Sequence, residues 1–191
     1  EYNVDVCTGV PNKCVSGHPG TSFVFLRKNL IKKAYDTKPR NIYLNLGRHI
    51  KIAEEKNQTP NTPSVIMINV LLESVKELLE EGVENRIRRY KKLARIIREG
   101  LYEMGLEIFL TDPAQMANTV TTVYLPKKIP MNEFLTEMEN EGYVFYDGKG
   151  DLKSKNLFQI ANMGNLDEKD CIEMLKVLKK VLIGKFSYEI S

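Results

Sequence analysis

The stretch of residues 12–20 reads Asn-Lys-Cys-Val-Ser-Gly-His-Pro-Gly. Its two glycines and its proline are residues that tight turns require. Before it, residues 2–6 alternate apolar and polar side chains, and after it residues 23–26 read Phe-Val-Phe-Leu; both patterns predict strands. The sequence therefore predicts that Lys13 lies in the connection between two strands.

Composition excludes several classes of protein. The chain has 191 residues, of which 42% are apolar, and its 28 basic and 25 acidic side chains leave a net charge of +3. These values fit one globular domain or two small ones with a packed core. Because basic and acidic side chains are nearly equal in number, the composition does not favour nucleic acid as a partner. No run of 18 apolar residues occurs, so we expect no membrane-spanning helix.

The cysteines and histidines predict neither disulfides nor a metal site. There are three cysteines, an odd number, and no Cys-x-x-Cys spacing. The two histidines have no acidic or cysteine partners at ligand spacing. We therefore expect reduced thiols, no bound metal and a cytoplasmic location.

Residues 27–61 are polar and contain several Pro, Gly and Asn residues, which predicts a long irregular connection in which only residues 42–44 form a short ordered piece. Thr62 followed by Pro63 predicts the start of a helix, with the threonine as its cap.

Two amphipathic helices in series are expected next, the first ending at Gly82 and the second at Gly105, with a basic outer face that includes Arg89. The remaining pattern is β-α-β-β-α, which predicts an α+β domain with a mostly antiparallel sheet. Its elements are strands at 107–110, 119–125, 143–146 and 157–161, a helix at 130–142, and a last helix capped by Asp167.

Lys13 is the first candidate for chemistry. A lysine amine attacks a carbonyl only when it is unprotonated, which a confined, partly buried turn favours. By composition alone, a solvated surface lysine is the simpler interpretation.

The segment around Lys13 resembles the Schiff-base segment of the class V aminotransferases. Four other segments resemble the same family in the same order: residues 42–46 (Ile-Tyr-Leu-Asn-Leu), 59–63 (Thr-Pro-Asn-Thr-Pro), 81–90 (Glu-Gly with Arg86 and Tyr90) and 159–164 (Gln-Ile-x-Asn-x-Gly). The resemblance covers residues 2–182 and concerns the C-terminal portion of the family only.

The resemblance implies an α/β protein, the C-terminal part of the pyridoxal phosphate-dependent transferase fold type I. Residues 1–61 would be the end of the large cofactor-binding domain and its sheet. Residues 62–191 would form long interdomain helices and a small α+β domain. The implied activity is an aminotransferase with pyridoxal 5'-phosphate as cofactor, acting on a small-molecule amino donor and a keto acid.

The resemblance also assigns roles to residues. Lys13 matches the lysine that carries the cofactor and moves a proton as general acid and base. Thr59 matches the threonine that binds the cofactor phosphate of the neighbouring subunit, which implies a homodimer with a shared active site. On local chemistry alone, Thr59 is a turn hydroxyl before a helix.

Gln159 departs from the family, which has an arginine that grips the substrate carboxylate at this position. A neutral amide cannot form that bidentate, charge-assisted contact. Lys153, Lys155 and Arg48 are the cations that could replace it.

Three functions therefore stay open: the aminotransferase, another class V enzyme such as a lyase, a decarboxylase or a different transaminase, and an inactive fragment or assembly module. The sequence begins within a predicted strand and has no initiator Met, which indicates a fragment. We therefore expect the 191-residue chain alone to bind the cofactor poorly and to be inactive.

Overall fold

The computed structural model describes residues 3–190 and divides into two compact units, residues 1–80 and 81–191. The predicted domain boundary between residues 61 and 62 stays a prediction. Among the described residues, no helix combines the length and the apolar character that a membrane crossing requires.

In the first unit, two short antiparallel strands flank the turn of Lys13. Strand β1 covers Val6–Gly9 and pairs with β2, Phe23–Leu26, with Val6 opposite Leu26 and Gly9 opposite Phe23. The second strand is where the sequence predicts it. The first begins later than expected, and Tyr2, where the predicted strand starts, lies outside the described residues.

The prediction of an irregular connection over residues 27–61 is wrong. This segment holds a 3-10 helix and two α-helices: Lys28–Leu30, α1 (Ile31–Asp36) and α2 (Leu46–Lys56). Residues 42–44, expected to be the ordered piece, lie outside any helix or strand.

Helix α2 forms in this polar segment because both of its ends are satisfied locally. The Asn45 side chain accepts the backbone N–H of Arg48, and Asn57 ends the helix in the left-handed conformation with φ of 50°. Gly47 is buried, and a Cβ there would lie 2.6 Å from the Ala34 carbonyl oxygen, so glycine lets α1 and α2 approach closely.

The long helix α3 covers Val65–Glu81 and begins after the predicted cap. The Ser64 carbonyl accepts the N–H of Ile68 at 3.1 Å, so the helical hydrogen bonds start at Ser64 and not at Thr62. The predicted stop is confirmed, since Gly82 has a φ of 84°.

The second unit is built on a three-stranded antiparallel sheet with the order β3-β5-β4. The predicted α+β pattern is confirmed, but two of its predicted strands differ. Residues 107–110 make only the isolated bridge between Ile108 and Val123, and of residues 143–146 only Tyr146 lies in a strand. Its elements are α4 (Val83–Glu103), β3 (Val120–Tyr124), α5 (Met131–Asn140), β4 (Tyr146–Asp147), a 3-10 helix (Gly150–Lys155), β5 (Leu157–Ala161) and α6 (Glu168–Phe186).

The core of the second unit lies on one face of the sheet. Phe158 of the central strand is fully buried against Phe134 and Phe145, with ring centroids 4.8 Å and 5.8 Å away. Because side chains alternate along a strand, Phe158 and Ile160 face the core, and Gln159 between them points to the opposite face. The packing therefore fixes where Gln159 emerges.

Phe158→Ala should lower the free energy of unfolding of the second unit by about 3–5 kcal/mol, because it leaves a cavity beside the rings of Phe134 and Phe145. The exposed Tyr146→Ala in the neighbouring strand is the matched control and should cost less than about 1 kcal/mol. Urea unfolding followed by circular dichroism measures both, and equal losses in the two variants would contradict this assignment of the core.

Candidate functional site

Lys13 lies in a braced turn between β1 and β2. Its carbonyl accepts the N–H of Ser16 at 3.0 Å, and the Pro11 carbonyl accepts the N–H of Gly17 at 2.9 Å. A Cβ at Gly17 would come within 2.9 Å of the Pro11 Cβ, so the backbone packs too closely there for any side chain. These contacts fix the backbone that presents the Lys13 amine.

The Lys13 side chain is exposed, and the partial burial that its chemistry requires is not formed by the described residues. The physical reason is that the sheet of this unit has only two strands. Val24 and Phe25 of β2 are also exposed, with 67% of the Phe25 surface accessible. The role of Lys13 therefore stays a prediction.

Thr59 lies in the loop before α3, and its exposed hydroxyl donates to the Asn61 carbonyl at 2.7 Å. The same loop is held by Arg48, which extends from α2 and donates through Nη2 to the Pro60 carbonyl at 3.1 Å. The sequence suggests Arg48 only as one of three replacement cations, whereas the structure places it against the Thr59 loop.

Two donors beside this loop have no acceptor within the described residues. The Nη1 atom of Arg48 and the Nδ2 atom of Asn61 are both buried and both unpartnered. Buried donors without acceptors are costly, and an anionic oxygen would satisfy both. These residues, together with the Thr59 hydroxyl, have the donor chemistry that fits a phosphate group, and the Lys13 amine has the chemistry that fits an aldehyde.

Gln159 lies at the centre of β5, with Thr122 opposite it on one side and Tyr146 on the other. Its Nε2 donates to the Thr122 hydroxyl at 3.3 Å. The Gln159 side chain is half-buried on the face of the sheet away from the core. Gln159 is therefore presented by a rigid strand, and its substrate role stays a prediction.

The two lysines upstream of Gln159 have other contacts. Lys153 forms an exposed ion pair with Asp147 at 3.7 Å, and Lys155 lies 5.3 Å from the centre of the Phe109 ring. Of the three suggested replacement cations, Arg48 is the one with a buried donor that has no partner within residues 3–190.

The loop beyond Gln159 is anchored to α4. Asn162 is fully buried and donates to the carbonyls of Asn118 and Tyr90, while the Tyr90 hydroxyl accepts the N–H of Gly164 at 3.4 Å. Arg89 donates to the Gly164 carbonyl at 2.8 Å. These contacts hold the backbone beyond the end of β5.

Glu81 holds Arg89 in place. Its carboxylate accepts from Arg86 at 2.6 Å and from Arg89 at 2.8 Å, and the Arg86 side chain is only 8% exposed. Hydrogen bonding from Arg89 is the main cause that lowers the pKa of Glu81 to about 2, against desolvation. The sequence predicts that Arg89 lies on the exposed basic face of α4, and it does not predict the contact with Glu81. The signal for that contact is Arg86, a charged residue on the core-facing stripe of α4 that needs a partner.

The cysteines add no further site. No disulfide forms among Cys7, Cys14 and Cys171, and burial raises the pKa of the Cys171 thiol to about 11. In the described part of the chain, no group of three or more His, Cys, Asp or Glu side chains could hold a metal ion.

Comparison with known proteins finds relatives along nearly the whole chain, although no family model matches it. An uncharacterised aminotransferase of Methanocaldococcus jannaschii is 31% identical over 187 residues, which are 95% of this chain and 47% of that protein. A 2-aminoethylphosphonate–pyruvate transaminase of Lysinibacillus sphaericus is 26% identical over 97% of this chain and 50% of its own length.

Solved structures show the same relationship. Pyridoxamine-pyruvate aminotransferase from Mesorhizobium loti superposes with a TM-score of 0.85 at 25% identity, over 94% of this chain and 47% of that chain. Alanine–glyoxylate aminotransferase from Nostoc has a TM-score of 0.83 at 23% identity, a likeness of fold. The chain spans about half the length of the relatives it matches, and the matched part is their C-terminal half.

Glu81→Gln should lower the free energy of unfolding at pH 7 by about 1–3 kcal/mol, because it removes the charge from the acceptor of two guanidinium groups. The folded pKa of about 2 lies below the ordinary value of 4.5, so this stabilisation is present above pH 4.5 and is lost as the pH falls towards 2.

Thermal unfolding of both proteins at several pH values checks this. We expect the difference in Tm between the two proteins to be largest at pH 6–7 and to disappear near pH 2. Glu73→Gln, at an exposed carboxylate, is the control. A difference that is constant over that range would show that the Glu81 charge is not its cause.

Proposed function

We propose that this chain, whose homologues are class V aminotransferases and which matches their C-terminal half, supplies the lysine of an aminotransferase active site. Those homologues are of the fold type I family and use pyridoxal phosphate. The observation that carries the proposal is the place of Lys13, in a braced turn between two antiparallel strands, within the segment that resembles the Schiff-base segment of the family.

Each residue has a distinct task in this proposal. Lys13 would hold the cofactor aldehyde through Nζ and, once the substrate amine has replaced it there, would act as general acid and base, moving a proton between the substrate carbon that bears nitrogen and the cofactor. The phosphate group would be held by the Thr59 hydroxyl and by the donors of Arg48 and Asn61 that have no partner among the described residues. When bound, the cofactor supplies a ring that withdraws electrons from the reacting carbon.

The exposure of Lys13 fits a site that is completed by other chain segments. We therefore propose a homodimer in which Thr59 serves the phosphate of the neighbouring subunit and the two subunits share the active site. Its partners would be small molecules, an amino donor and a keto acid, in the cytoplasm, where the cysteines stay reduced.

For the reaction itself we propose the conversion of 2-aminoethylphosphonate and pyruvate to phosphonoacetaldehyde and alanine, which would place the protein in phosphonate metabolism. The support is that several relatives bear the name of this transaminase, at 24–26% identity. The anionic phosphonate and carboxylate groups of these substrates require cationic partners.

A second candidate, another class V enzyme such as a lyase, a decarboxylase or a different transaminase, is favoured by Gln159. Its amide is engaged with Thr122 and carries no charge with which to bind a carboxylate. An inactive fragment or assembly module is the third candidate, and the exposure of Lys13 favours it for the 191-residue chain alone.

Lys13→Ala in the complete protein that carries this sequence should abolish transamination and covalent cofactor binding, because no other amine occupies this turn. Borohydride reduction in the presence of pyridoxal phosphate, followed by peptide mass spectrometry, should place the label on Lys13. Lys28→Ala, at another exposed lysine of the first unit, should leave activity and labelling unchanged.

The 191-residue chain by itself should bind the cofactor weakly, with low labelling spread over several exposed lysines. A stable absorbance band of the bound cofactor that this chain shows alone and that Lys13→Ala removes would contradict this expectation. Labelling of the complete protein at lysines other than Lys13 would refute the proposed role of Lys13.

Gln159→Arg in the complete protein should lower the KM for the keto acid by about 10- to 100-fold, because a charge-assisted contact contributes about 1.5–3 kcal/mol. Gln159→Lys, which restores the charge without the planar fork, should give a smaller change. An unchanged KM in both variants would place carboxylate binding elsewhere.

A further inference from the structure

A cleft lies in the second unit, between the outer face of α4 and the segment of residues 111–118. Its volume is about 630 Å³, within the range of pockets that bind small molecules. The residues of the proposed aminotransferase site do not line it. The cleft is therefore a separate feature of the surface, and its ligand chemistry does not depend on the proposed function.

The charge of this cleft is strongly one-sided. Five cations line it, and Glu99 is the one carboxylate among the described residues of its lining; the cations are Arg88, Lys91, Lys92, Arg95 and Arg98. Two of them already form ion pairs, Lys92 with Glu168 and Arg95 with Glu99. Both pairs are more than half exposed, so they contribute little and are easily exchanged for another anion.

Arg98 is the most informative of the five cations. Its guanidinium donates to two neutral oxygens, the Ala117 carbonyl and, at 3.3 Å, the Thr121 hydroxyl. Burial lowers its pKa from the ordinary value, which shows the cost of removing this charge from water. An anion that enters the cleft beside Arg98 would offset that cost.

The remaining wall is apolar. Tyr102, Pro113 and Met116 line the cleft next to the cations, and Tyr102 is 52% exposed. An exposed aromatic ring in the same cleft as several cations suits a molecule with an anionic head and an apolar body.

We infer that this cleft binds a small phosphomonoester, with the phosphate among Lys91, Arg95 and Arg98 and an aromatic or aliphatic body against Tyr102 and Met116. A dianionic phosphate uses several cations better than a single carboxylate does. A nucleic-acid backbone is disfavoured because Glu84, Glu99 and Glu103 interrupt the basic face of α4.

Titration of the 191-residue protein with phenyl phosphate by isothermal calorimetry tests the inference. We expect saturable binding with one site, and the double variant Lys91→Gln/Arg95→Gln should weaken it by about tenfold or more. Both side chains are exposed, so the variant should keep the Tm of the parent. Lys169→Gln, which removes one charge from an exposed helical lysine outside the cleft, should change the Kd less than twofold.

Two further probes, inorganic phosphate and a single-stranded oligonucleotide, test whether the cleft prefers a phosphomonoester with an apolar body over other anions. Inorganic phosphate should bind at least tenfold more weakly than phenyl phosphate, because it lacks the apolar body. Equal affinity for the two would overturn the inference, and so would the absence of saturable binding or a Kd that the double variant does not change. Tighter binding of a single-stranded oligonucleotide that the double variant abolishes would also overturn it, in favour of nucleic acid.

Discussion

The second unit depends on one carboxylate that lies between two guanidinium groups. Glu81 ends α3, Arg86 and Arg89 belong to α4, and Arg89 continues to the carbonyl of Gly164 in the loop beyond β5. Because the Arg86 side chain is only 8% exposed, its ion pair with Glu81 lies away from water and its loss would be costly. This constraint ties the start of the unit to the end of its central strand, and the strand in turn fixes Gln159.

Much of this architecture arises from local sequence signals. Asp167 caps α6, and the side chain of Asp170 completes a capping box with it. The alternation in residues 157–161 predicts a strand with one buried face, as observed. The prediction fails at residues 27–61 because α2 is polar and short. Its stability comes from the Asn45 cap and from contact with α1, and hydrophobic periodicity reveals neither.

In the candidate site, too, local features are predictable from the sequence and contacts between separate elements are not. The turn residues predict the strand–turn–strand place of Lys13, because glycine and proline act locally. The contact of Arg48 with the Thr59 loop joins residues from two separate elements and depends on how α2 packs, so a single sequence could suggest Arg48 only as a cation in a connection. The buried, unpartnered donors of Arg48 and Asn61 are visible only in three dimensions.

The two-stranded sheet of the first unit has a practical consequence for anyone who produces this chain. Isolated two-stranded sheets are marginally stable, and strands with open hydrogen-bonding edges act as templates for other copies. With Val6, Val24 and Phe25 accessible, that sheet is where concentrated samples would begin to self-associate into aggregates. Charged substitutions there, or co-expression with whatever covers this surface, offer the most direct route to material that stays monodisperse.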